Sequence, residues 1–146
     1  MDEDLVILEL NARWGCDIPF GWIPLSDNHK QIPHTEVYNE EAFHEAVSDA
    51  DLRGIVRKVF QAAELYEVVE GGTVSRKSLD DCFFGYDGLE HLHTNATFDF
   101  VLYFSHEESV TVGGQRLLDA IHGLWPDHAN HPWPPPYWDN LPPLEL

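Results

Sequence analysis

From Ala96 to Val112 the chain reads ATFDFVLYFSHEESVTV, and this pattern leaves few folds open. Phe98, Phe100, Leu102 and Phe104 alternate with Thr97, Asp99, Val101, Tyr103 and Ser105, a period of two that predicts a strand with one apolar face. Ser105-His106-Glu107-Glu108 interrupts the alternation and Val110-Thr111-Val112 resumes it, which predicts a hairpin. We place this strand at the centre of a sheet.

The flanking segments supply the partners. Leu5 to Leu10 (LVILEL) is an apolar run of strand length. Between Arg13 and Pro33, Trp14, Phe20, Trp22 and Ile23 are threaded among Gly15, Pro19, Gly21 and Pro24, which forbids a long regular element and leaves either a core-packed loop or a binding surface. The loop is the preferred reading, because large aromatics are more often buried than exposed. Asn39-Glu40-Glu41 is a helix start, with Ala42, Phe43, Ala46 and Val47 behind it; Ser48 offers a second cap before Leu52, Ile55, Val56, Val59, Phe60 and Ala63 at spacings of three and four. Tyr66 to Val69, the turn Gly71-Gly72 and Thr73-Val74-Ser75 make a second hairpin, and Leu89 to His93 pairs with the Phe98 strand through Thr94-Asn95. Gly113-Gly114 opens a last helix striped by Leu117, Leu118, Ile121, Leu124 and Trp125, and Pro126 stops it. The expected fold is a single α+β domain over residues 1–125: a mainly antiparallel sheet packed on one side by about three helices, near 40–64 and 115–125. Residues 126–146 hold seven of the ten prolines with Trp133, Tyr137 and Trp138, and read as a Pro/aromatic-rich tail docked on the domain.

Charge narrows the function. In 146 residues, 26 acidic side chains stand against 8 basic ones, a formal net of -18. Such a field repels nucleic-acid phosphates and anionic membranes and steers in basic partners, although solubility alone also favours acidity. Of the basic residues, Arg53, Arg57, Lys58, Arg76 and Lys77 gather in the middle third, where pairing with nearby acids is expected. Acids at the N-terminus in place of a basic leader, and no apolar run near the roughly 18 residues of a membrane span, predict a cytoplasmic protein. Cys16 and Cys82 match no CxxC spacing and read as free thiols.

Motifs for chemistry are sparse. His91-Leu92-His93 on a strand would put two imidazoles on one side, with His106 as a third ligand for zinc or iron. The spacing G-x5-H-x-H from Gly85 is similar to the opening of the first metal motif of the cupins, but no glutamate lies three or four residues beyond His93 and no second motif follows. His122, His128 and His131 form another group, on proline-flanked backbone that does not preset a coordination geometry. There is no G-x-S-x-G, P-loop or H-E-x-x-H pattern, and neither cysteine has a basic neighbour to lower its pKa. Pro134-Pro135-Pro136-Tyr137 fits P-P-x-Y, which would engage a WW-type domain through Pro134, Pro135 and Tyr137.

These features predict an acidic protein-binding inhibitor of immunity type that neutralises a basic toxin or nuclease, without a cofactor, its carboxylates standing in for phosphates. The contact set is expected to place acids beside aromatics: Asp80, Asp81, Asp87 and Glu90, then Glu107 and Glu108, and in the tail Tyr137, Trp138 and Asp139. The alternatives are a histidine-based metal-dependent enzyme and an adaptor or chaperone for another protein.

Overall fold

Six strands form one antiparallel sheet in the computed structural model, which describes residues 2–19, 22 and 32–133. In chain order they are β1 (Thr35–Asn39), β2 (Glu64–Val69), β3 (Thr73–Ser78), β4 (His91–Thr94), β5 (Val101–Phe104) and β6 (Ser109–Gly113), arranged across the sheet as β1-β6-β5-β4-β2-β3. The alternating run therefore supplies an interior strand, and Ser105–Glu108 closes the hairpin to β6, with Phe104 opposite Val110. The chain is an α+β domain, as the sequence pattern requires.

Its sheet is covered on both faces, which the sequence reading did not anticipate. Helices α2 (Glu40–Ala46), α3 (Asp49–Val59) and α4 (Gln115–Leu124) lie on one side, where Phe43, Leu52, Val56, Leu117 and Ile121 meet Phe100, Leu102 and Phe104. A fourth helix, α1 (Glu3–Trp14), covers the other side with Val6 and Leu10 against Val68, Leu92, Val101 and Tyr103. LVILEL is thus helical rather than the expected strand. Asp2 caps it through Asp4 N, Glu3 and Asp4 suit the first turn, and Val6 and Leu10 are one turn apart, while Leu5 and Leu8 face outward. In a six-residue window the apolar run concealed that spacing. Because Val101 and Tyr103 are buried too, β5 has two apolar faces, and Phe98, at φ 57, joins the α1 side instead of the row of Phe100.

Caps explain where the other helices start. Asn39 accepts from Ala42 N, and Ser48 and Asp51 form a reciprocal capping box. Leu79–Asp81 is a short 3-10 turn. Three of the five basic residues of the middle third pair with acids: Arg57 Nη2 lies 2.6 Å from Asp80, Arg76 binds Glu64 and Lys77 Nζ is 2.8 Å from Glu67, whereas Arg53 donates to Leu79 O. Both cysteines are free and buried, Cys16 on the α1 side and Cys82 on the other. Residues 126–133 run back beside β1, where Pro132 bridges to Tyr38, Trp133 N donates to Val37 O at 3.0 Å and the Trp133 indole donates to Glu107 O at 2.9 Å. Among the described residues no helix is long and apolar enough to cross a membrane.

Candidate functional site

One end of the sheet carries three acidic segments, Glu40–Glu41, Asp87 with Glu90, and Glu107–Glu108. There β1 stops at Asn39, β6 starts at Ser109, β5 stops at Phe104 and β4 starts at His91, because the antiparallel registers set these residues beside one another. The stretches 31–52 and 78–115, which supply these termini, contain no lysine or arginine.

Two loops carry the exposed groups. In the β5–β6 turn, Ser105 N donates to Ser109 O at 3.0 Å, Glu107 N donates to Ser105 Oγ at 3.1 Å and Glu108 takes a left-handed conformation, so Glu107 and Glu108 stand at the tip. Glu40 N donates to Glu108 O at 2.9 Å and ties this tip to the start of α2. A cleft of about 210 Å³ lies between them, lined by Asn39, Glu40, Glu41, His44 and Glu108. The second loop, 82–90, leaves Phe83, Tyr86 and Leu89 about 40% exposed, beside Asp80, Asp81 and Asp87. A Cβ on Gly85 would lie 3.8 Å from His44 Nε2, so this loop passes directly over the wall of the acidic cleft. The aromatic loop and the acidic cleft thus adjoin at Gly85 and His44.

Beneath the loop is a buried set of ionisable groups. Glu67 and His93 are fully buried and His91 nearly so. Glu67 receives the Lys77 ammonium and the Phe83 N–H, at 3.3 Å; burial pushes its carboxyl up, but the Lys77 bond, the His93 charge and the Phe83 amide together hold it below its usual value. His93 Nε2 donates to Phe83 O at 2.8 Å, and His91 Nε2 lies 2.9 Å from Asp87 Oδ1, a contact that holds the Asp87 carboxyl below its ordinary value. Burial lowers the His93 imidazole to about 4. The two imidazoles thus staple the aromatic loop to β4.

No protein-family model, curated protein or solved structure matches this chain.

Measured against the sequence expectations, the site is partly regrouped. His106 does not join His91 and His93: its backbone N and Nδ1 both reach Glu90 Oε2, at 2.9 and 2.7 Å, and that hydrogen bond raises the imidazole pKa. Glu90 is buried, accepts from the Tyr103 hydroxyl as well, and so anchors the β5–β6 turn instead of offering a surface charge. Asp80 is shared with Arg57, whereas Glu107 and Glu108 remain outward. Tyr137, Trp138, Asp139 and the Pro134–Tyr137 motif lie outside the described residues. Sequence reasoning missed Phe83, Tyr86 and Leu89 as the apolar part of the surface, and Glu40 and Glu41 as its continuation. Their signal was the run of aromatics around Gly85 and Gly88, a loop composition with no strand or helix period. Neither thiol is set up as a nucleophile, since burial pushes Cys82 up to about 11 and Cys16 higher still. Among the described residues no serine, threonine or cysteine is hydrogen-bonded to an imidazole.

Proposed function

We propose that this protein is an acidic inhibitor of immunity type, which neutralises a basic toxin or nuclease by covering it with the acidic end of the sheet. The observation that carries this reading is the continuity of exposed Phe83, Tyr86 and Leu89 with Asp87 and, through Gly85 and His44, with Glu40, Glu41 and Glu108. Charge of one sign accelerates encounter with a basic partner, and half-exposed aromatics are the residues that hold a complex once formed. The cleft beside His44 would receive a lysine or arginine side chain, whose ammonium or guanidinium meets carboxylates there.

The test is capture of the partner by untagged-surface protein immobilised through its N-terminus, from lysate of the source organism, washed at low and high salt. A stoichiometric basic protein that leaves at high salt supports the reading. With that partner in hand, the Glu107→Lys, Glu108→Lys double variant should slow association about tenfold at low salt and much less at high salt. Tyr86→Ala should instead speed dissociation. An acidic partner, or an association rate indifferent to both salt and the double variant, would refute it.

A further inference from the structure

β1, the end of α4 and the 3-10 turn at His128–Asn130 bring together Glu36, His122 and His128, with one donor atom from each lying within 4.8 Å of the others. From this juxtaposition we infer a second functional site: Glu36, His122 and His128 bind a zinc ion, with Tyr38 as the supporting hydrogen-bond donor.

The donors are already close to a shared coordination sphere. Glu36 Oε2 is 2.8 Å from His122 Nε2, and two ligands at zinc distances in a tetrahedral shell are about 3.3 Å apart. The two donors must separate by about 0.5 Å to admit an ion between them. His128 is held nearby by its turn: His128 N donates to Trp125 O at 3.0 Å, and Asp127 accepts from Asn130 and His131. Its ring lies parallel to that of His122, with centroids 3.7 Å apart. Since a ring nitrogen's lone pair lies in the ring plane, coordination requires the two rings to splay from this stack. Both are only partly buried, which leaves room on the solvent side for that rotation.

The chemistry of the set selects the ion. Two imidazoles and one carboxylate suit a borderline ion such as zinc, whereas calcium and magnesium favour oxygen ligands throughout. The Tyr38 ring is buried against Phe43 and Trp125, and its hydroxyl donates to Glu36 and lies 3.0 Å from His122 Nε2. Such an outer donor fixes a carboxylate ligand in place. Three protein ligands leave a fourth position for water.

The experiment uses the full chain without a histidine tag, stripped with chelator, titrated with zinc alone against a chromophoric competitor. One zinc per chain with micromolar or tighter affinity is expected, weakened at least about tenfold in each of Glu36→Gln, His122→Ala and His128→Ala, and severalfold in Tyr38→Phe. Cobalt in place of zinc should give the intense visible bands of a tetrahedral site, lost in His128→Ala. Near-ultraviolet circular dichroism identifies any variant that has lost its packing; Glu36→Gln and His128→Ala, both at partly exposed positions, carry the test if His122→Ala fails to fold. Absence of stoichiometric binding, or binding that survives Glu36→Gln and His128→Ala but is lost in His91→Gln or His106→Gln, would overturn the assignment.

Discussion

His93→Gln is the substitution that most directly interrogates the floor of the acidic surface. His93 is fully buried on β4, with Glu67 of β2 at 3.8 Å, Lys77 of β3 bound to the same carboxylate, His91 beside it and the rings of Phe84 and Phe104 against its edges. Its imidazole titrates near 4 in the folded protein, against 6.5 for a free histidine, with burial the principal cause. Between those values the unfolded chain binds a proton that the folded chain does not. Folded stability from this group is therefore fully present above pH 6.5, is lost as the pH falls, and bottoms out below 4. At about 1.4 kcal/mol per pH unit the loss approaches about 3 kcal/mol. Glutamine can still donate to Phe83 O but does not titrate. Urea unfolding at several pH values from 7.5 to 4 should accordingly show wild-type stability falling more steeply than that of His93→Gln, with the gap between the two curves changing by about 3 kcal/mol across the window. Carboxylates remote from His93 cancel in that difference; Glu67, 3.8 Å away, does not, and a Glu67→Gln background isolates the imidazole. Parallel curves would refute the argument, as would an imidazole carbon signal of His93 that titrates near pH 6.5 by NMR.

Two further substitutions probe the packing that positions the surface. Lys77→Met leaves Glu67 buried without its ammonium; a wholly buried pair broken in this way costs about 3–5 kcal/mol, and the partial exposure of Lys77 reduces the expected loss to about 2 kcal/mol, read as a lower urea midpoint. Gly114→Ala should be worse tolerated than its position at a helix start suggests, since φ is +111 and a Cβ would lie 2.8 Å from Asp99 O; a loss of about 2–3 kcal/mol in thermal or urea unfolding is expected, and a neutral result would contradict the conformation of the β6–α4 junction.

The elements legible in the sequence are those whose period and boundaries agree. Asn39, Ser48 and Gly71-Gly72 mark their boundaries with side-chain or backbone chemistry that acts locally, and the helices start and the hairpin turns where the sequence puts them, although α3 ends at Val59, short of Ala63. LVILEL has no such agreement: apolar residues fill five of its six positions, so the period that separates Val6 and Leu10 from Leu5 and Leu8 emerges only when Trp14 and the Gly15 cap extend the window. That one helix also decides the number of layers. With α1 on the second face, Val101 and Tyr103 are core residues, and a strand that alternates apolar with aromatic is read as one-faced only if nothing is expected behind it.

The sites divide along the same line. Asp80, Asp81, Asp87, Glu107 and Glu108 were legible as charges near turns because turns expose what they carry. Glu90 was not distinguishable from them, although it sits one residue before β4. Its fate is set by the Tyr103 hydroxyl and the His106 amide, 13 and 16 residues onward, which become its neighbours only when β4 and β5 pair. The same reasoning explains the histidines. His91 and His93 share a strand face, yet each spends its Nε2 on the loop that precedes it, so the H-x-H spacing serves loop attachment. Glu36 and His122 are 86 residues apart, and their meeting depends on where the last turn of α4 crosses the edge strand β1. Spacing on one element records which side chains share a face; contact between the end of one element and the edge of another is written in the packing, and it is there that this chain brings its carboxylates and imidazoles together.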